Sequence, residues 1–207
     1  MLNSMTDPKS IVRRGYDLVS LAYRADDAED GAYGEWLHLL ETRIEPGARI
    51  LDLGCGCGVP VARRLARRYD VTGIDISPVQ IARARELVPT ATFLCGDMTT
   101  VEFPDQSFAT ITCLFALFHL PLAEQPALLR TVQRWLRPGG VFMATVGHRS
   151  WTGLEKDWLG VEGGDMWWSH ADAETYRRWL TDVGLRIELE TFVPEGTGGH
   201  TFILATR

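Results

Sequence analysis

Apolar positions recur along the chain in two periods. Short runs rich in β-branched and other apolar residues at 49–53, 71–76, 92–94, 108–114 and 141–146 predict strands, and the stretches 59–68, 78–87 and 122–136 between them carry a helical period. Strands alternating with helices need crossover connections, so the pattern predicts a parallel sheet with helices on both faces. The C-terminal part differs. A helix over 172–183, opened by Ser169-x-x-Asp172 and stopped by Gly184, leads into strands at 185–193 and 200–206. The link Glu195-Gly196-Thr197-Gly198-Gly199 is short and glycine-rich, which makes these two strands an antiparallel hairpin. The expected architecture is an α/β, doubly wound, seven-stranded sheet, mainly parallel, that ends in this hairpin.

Ahead of the first strand, 11–24 and 31–43 read as amphipathic helices closed by the Pro46-Gly47 turn. The segment 148–169 holds Trp151, Trp158, Trp167 and Trp168 among Gly153, Gly160, Gly163 and Gly164 without a clear period, and is read as a long loop or lid. The 207 residues suit one domain: an N-terminal helical cap (1–45), a binding core (48–146), the Trp-rich segment (148–170) and a C-terminal helix with its hairpin (171–207).

Composition narrows the partners. Hydrophobic residues make up 45% and charged residues 23%, ordinary values for a folded domain. No apolar run approaches the ~20 residues of a membrane span, and the opening MLNSMTDPKS lacks a leader's apolar core, so a cytoplasmic protein without a membrane partner is expected. A net charge of -6 argues against a nucleic-acid partner, and the pairs Arg63-Arg64 and Arg67-Arg68 read as a solvated helix face. Cys55, Cys57, Cys95 and Cys113 lack the spacing of a zinc site and are expected to be reduced thiols; no metal is expected.

The chemistry concentrates in Asp52-Leu53-Gly54-Cys55-Gly56-Cys57-Gly58, at the end of the first strand. Glycines at 54, 56 and 58 let the backbone turn tightly and approach a ligand. A dinucleotide fingerprint would place a third glycine where Val59 or Val61 stands, and Asp52 would face a pyrophosphate. A carboxylate at the loop entrance suits a cationic ligand instead.

Here the sequence resembles the class I S-adenosylmethionine-dependent methyltransferases, whose first motif is an acidic residue followed by G-x-G-x-G. The resemblance continues in Gly73-Ile74-Asp75-Ile76-Ser77, Gly96-Asp97-Met98 and Leu136-Arg137-Pro138-Gly139-Gly140, and spans roughly residues 48 to 146. It implies a Rossmann-like fold and S-adenosylmethionine as cofactor, leaving S-adenosylhomocysteine as product. Gly54, Gly56 and Gly58 would pass beneath the methionine part, Asp75 would accept the ribose hydroxyls, and Asp97 would face the adenine amino group. Ile76, Met98 and Leu114 flank these positions and complete the expected cofactor contacts. In the opening helix, Tyr16 and Tyr23 lie seven residues apart on one face; Tyr23 with Arg24 is the candidate for the methionine carboxylate end, a core-packing tyrosine being the alternative.

For the acceptor, the fourth strand ends in Cys113-Leu114-Phe115-Ala116-Leu117-Phe118-His119, without the Asn/Asp-Pro-Pro-aromatic stretch of amide and nucleobase methyltransferases. Leu114 and Gly147 stand where the metal-assisted catechol branch has carboxylates. His119 and His148 follow strands four and five, at the crevice of such sheets, and His170 follows Trp168; these three are the catalytic candidates, with helix-capping or core roles as the alternatives. Nothing places the side chain of His200, which opens the last strand. The tryptophans offer a wall for a flat, apolar or cationic acceptor. Methyl transfer to an O, N, S or C nucleophile of a small molecule is expected, by a monomer or homodimer. Arginine outnumbers lysine 19 to 2, which suggests a GC-rich bacterial genome and, with the resemblance, a specialised metabolite. Alternatives are a protein or RNA methyltransferase, or a cofactor-binding protein of other function.

Overall fold

The computed structural model describes residues 7–207, so positions 1–6 of the expected cap and of the leader reading lie outside the described residues. The chain opens with helix α1 (Pro8–Tyr23), whose N-cap Asp7 accepts from the Ser10 N–H at 2.9 Å while Pro8 fills the first turn. Helix α2 (Tyr33–Glu41) follows, then the alternation β1 (Arg49–Leu53), α3 (Val61–Leu65), β2 (Asp70–Asp75), α4 (Pro78–Leu87), β3 (Thr92–Cys95), β4 (Phe108–Cys113), α5 (Gln125–Trp135) and β5 (Leu136–Gly147). The chain ends with β6 (Trp151–Glu155), β7 (Met166–His170), α6 (Ala173–Asp182), β8 (Arg186–Glu195) and β9 (Gly198–Thr206).

Seven strands form one sheet in the order β3-β2-β1-β4-β5-β9-β8, parallel except for β9, which runs antiparallel to both neighbours. The order reverses between β1 and β4. At such a switch point the connections leave in opposite directions and open a crevice at the carboxyl ends of the strands. Alternate strand residues bury two apolar layers: Leu51, Phe142 and Ile203 pack against α5 and α6 through Leu128, Trp135 and Tyr176, whereas Ile50, Met143 and Phe202 pack against α2, α3 and α4 through Leu40, Leu65 and Ile81. No helix among the described residues is long and apolar enough to cross a membrane.

Three local readings need correction. The Trp-rich segment is not an irregular loop: β6 and β7 pair antiparallel as a separate two-stranded sheet, with Trp151 opposite His170 and Leu154 opposite Trp167. Aromatics point to both faces, so no period of two emerges, although β propensity is high. The helix expected over 59–68 shrinks to Val61–Leu65: Gly58 is left-handed at φ +77° and the residue before a proline is disfavoured in the helical region, while past Leu65 the Arg67 and Arg68 N–H groups bond three residues back, to Arg64 and Leu65. Ser169 does not cap α6. It lies in β7, where its hydroxyl accepts from the Leu122 N–H at 3.2 Å, while Asp172 caps α6 by accepting from the Thr175 N–H at 2.9 Å.

Candidate active site

The glycine loop is shaped by its backbone. Gly54, Gly56 and Gly58 all have positive φ, at +71°, +54° and +77°. A Cβ on Gly54 would stand 2.2 Å from that of Ala116, so the loop packs directly on the chain after β4. At Gly56 a Cβ would meet nothing within 4 Å: that face of the loop is open. Gly58 instead packs beside Phe93 and Val88 and does not line the crevice.

Two buried carboxylates sit against this loop. Asp75 accepts from the Gly56 N–H at 2.9 Å on one oxygen and from the Ser77 N–H at 2.8 Å on the other, which fixes its plane and leaves one lone-pair site per oxygen. Asp52 is 2% exposed; Oδ1 accepts from the Thr112 hydroxyl at 2.6 Å, and Oδ2 is buried without a partner. Burial disfavours the charged form of each, pushing Asp52 up to about 7 and Asp75 up to about 6.

Helix α1 crosses over the crevice. It is tied to α4 through the Ser77 hydroxyl, which donates to Asp17 at 2.6 Å, and the Ser20 hydroxyl, which donates to Gln80 at 2.9 Å. The seven-residue spacing then brings Tyr16 and Tyr23 together, ring centroids 5.4 Å apart, over the loop. The Arg24 guanidinium lies 5.6 Å from the Tyr23 ring centroid and 5.2 Å from that of Tyr33. Three adjoining spaces of about 40, 60 and 40 Å³ form the groove. Of the cofactor candidates, Tyr23, Arg24, Asp52, Gly54, Gly56 and Leu114 line the first, Tyr16, Asp75, Ile76 and Met98 the second, and Asp97 the third. Lys9, which the sequence did not mark, sits 2.7 Å from Asp97 Oδ2 and pairs also with Glu124. Asp97 accepts on its other oxygen from the N–H and hydroxyl of Thr99, each at 2.8 Å. Burial raises its pKa, but the Lys9 and Thr99 hydrogen bonds together outweigh that and hold it below the usual carboxylate range.

The three histidines part company. His119, in a short 3-10 turn (Leu117–His119), is 6% exposed and has both ring nitrogens engaged: Nδ1 with the Trp167 carbonyl and Nε2 with the Tyr16 hydroxyl, both at 2.9 Å. The carbonyl can only accept, so Nδ1 carries the proton and Nε2 accepts from the tyrosine. Burial pushes this imidazole down to about 4. Beside it Phe115 holds a left-handed φ of +55°, unusual for an aromatic residue, with its N–H bonded to the Thr145 hydroxyl. His148 and His170 lie elsewhere. Both line a cavity of about 930 Å³ between the β6–β7 hairpin and the tip of β8–β9, with Trp151, Trp158, Trp168 and Phe192 as walls. A neck bordered by Tyr16, Phe115, His119, Trp158, Glu195 and His200 joins that cavity to the groove. The sequence leaves Glu195 unmarked and His200 unplaced, because nothing local to either residue says that a hairpin tip reaches the crevice.

Residues 50–140 match the methyltransferase-domain family. The chain is 32% identical over 205 residues to the malonyl-[acyl-carrier protein] O-methyltransferase of Halorhodospira halophila, covering 93% of this chain and 65% of that protein. It is 39% identical over 105 residues to the 2-methyl-6-phytyl-1,4-hydroquinone methyltransferase of Synechocystis, covering 48% of this chain and 32% of that protein. The chain thus spans less than two thirds of either curated relative. Among solved structures, the magnesium protoporphyrin IX methyltransferase of Synechocystis with bound S-adenosylmethionine superposes with a TM-score of 0.74 over 99% of both chains at 19% identity, a likeness of fold.

Proposed function

Because the chain belongs to the class I S-adenosylmethionine-dependent methyltransferases, we propose that it transfers the methyl group of that cofactor to a small molecule held in the aromatic cavity. The cofactor supplies a sulfonium-bound methyl carbon open to in-line displacement. The observation that carries the reading is the orphaned Asp52 Oδ2, a buried carboxylate oxygen at a loop whose open face is lined by glycine. A buried carboxylate oxygen without a partner is costly, and a cationic ligand relieves it. Asp75 would hold the ribose through its two remaining lone-pair sites, Ile76 and Met98 would cover the adenine beside Asp97, and Arg24 would meet the carboxylate end, with Tyr16 and Tyr23 above.

Alignment and exclusion of water can carry much of such a transfer, and α1 with Trp158 closes the groove from above. A cavity walled by aromatic side chains that meets the groove through a narrow neck suits a compact acceptor, such as a bacterial specialised metabolite, better than a protein or RNA surface. Calorimetry with S-adenosylhomocysteine tests the assignment. Asp75→Ala should weaken binding at least about tenfold, the scale of two hydrogen bonds to a charged group. Equal affinity in parent and variant would remove Asp75 from the site.

A further inference from the structure

The base that the sequence points to is poorly placed to act as one, and a second imidazole is better placed. Glu195 closes β8 and His200 lies near the start of β9, with Val193 opposite His200 in the hairpin register. Glu195 lies two residues beyond Val193, so both side chains leave the same face of the hairpin, toward the neck. His200 Nε2 stands 2.8 Å from Glu195 Oε2. A carboxylate only accepts, so Nε2 carries a proton, and in the neutral ring Nδ1 is a bare acceptor. That Nδ1 is buried and has no partner. The ring cannot swing freely: it stacks on Phe118 at 4.6 Å and 15°, and meets Phe115 edge-on at 5.6 Å and 89°. His200 borders both the neck and the large cavity.

We infer that His200, oriented by Glu195, is the proton acceptor of the transfer, and that the acceptor it serves is an aromatic hydroxyl seated in the cavity between the two hairpins. The inference rests on the methyl-transfer reading above. Trp151, Trp158, Trp168 and Phe192 give flat faces for an aromatic ring, and a phenol offers a proton that has to leave. In the step, a phenol oxygen lone pair forms the new bond to the methyl carbon and the carbon–sulfur bond pair stays on sulfur. The phenol proton passes to Nδ1, giving an imidazolium balanced by the Glu195 carboxylate, and then to solvent. Among the described residues, the titratable groups around this pair include His119 from the 3-10 turn, His170 from β7, and Tyr16 and Tyr23 from α1.

The test uses the full chain, labelled with nitrogen-15, saturated with S-adenosylhomocysteine and titrated with 4-fluorophenol. Long-range nitrogen–proton correlation should find His200 in the Nε2–H tautomer, with the phenol shifting its Nδ1 resonance and leaving both His119 nitrogens in place. Glu195→Gln should mix the tautomers. With S-adenosylmethionine as donor, His200→Gln should methylate 4-fluorophenol about a hundredfold more slowly, with S-adenosylhomocysteine affinity within twofold of the parent. An Nδ1–H tautomer, a phenol response at His119 instead, or no response at either ring overturns the inference. Failure of the parent to bind S-adenosylhomocysteine would instead overturn the reading beneath it.

Discussion

At the scale of single residues, the pH behaviour of the groove around neutrality is led by one carboxylate, Asp52, with Asp75 following near 6. With its folded pKa raised by burial to about 7, Asp52 is largely protonated at pH 6, and a cationic ligand binds best to the charged form. Binding of S-adenosylmethionine should therefore release a proton below neutrality, and affinity should fall as pH drops through 7, by up to about tenfold per unit. Asp52→Asn should bind more weakly and lose the slope around pH 7, keeping only the part that Asp75 contributes near 6. Calorimetry at pH 6 in buffers of differing ionisation enthalpy measures the proton directly; a parent that releases none would refute the linkage. Asp52, Asp75 and the glycines could be read from the sequence because each meets a local demand: a turn of positive φ, or an acid at the end of a strand. Lys9, Glu195 and His200 could not. Lys9 meets Asp97 across 88 residues, and only the folded sheet brings the hairpin tip to the neck.

At the scale of elements, α1 and the β6–β7 hairpin fit through a glycine. A Cβ on Gly15 would stand 2.3 Å from the Asp165 carbonyl oxygen and 3.0 Å from the Met166 methyl, so nothing larger than hydrogen fits between helix and strand. Gly15→Ala gains helix propensity, worth about 1 kcal/mol, but has to push the hairpin away from α1. Overpacking of this kind costs about 1–3 kcal/mol and against backbone the upper end applies, so the melting temperature should fall by a few degrees. Cofactor affinity should fall as well, because Tyr16 shares this helix. A variant that melts no lower than the parent would show that the two elements give way without cost. The sequence conveyed α1, because its apolar spacing is regular, and missed the hairpin, whose tryptophans fall on both faces, Trp151 and Trp168 on one and Trp167 on the other, so that no period of two emerges.

At the scale of the whole molecule, the sheet order was accessible because strand–helix alternation and a glycine-rich hairpin link leave few topologies. The groove lies over the ends of β1, β2 and β4 beneath α1, whereas α5 and α6 pack on one broad face of the sheet. Hydrogen exchange should follow that division: S-adenosylhomocysteine should slow exchange in α1 and in β6–β7 and leave α5 and α6 unchanged. Uniform slowing over all helices would mean that the ligand tightens the entire fold.

The residues lining the large cavity run from His148 to His200, all beyond position 140, where the match to the methyltransferase-domain family ends. On the reading proposed above, acceptor recognition would therefore lie after position 140 and most of the methyl-donor groove before it, the two meeting at one neck. Mutations can accumulate in two hairpins without touching the glycine loop or its carboxylates. On that reading a lineage could change its substrate while keeping its donor, and a chimaera that exchanges only the segments after β5 would be the natural unit for re-aiming this scaffold.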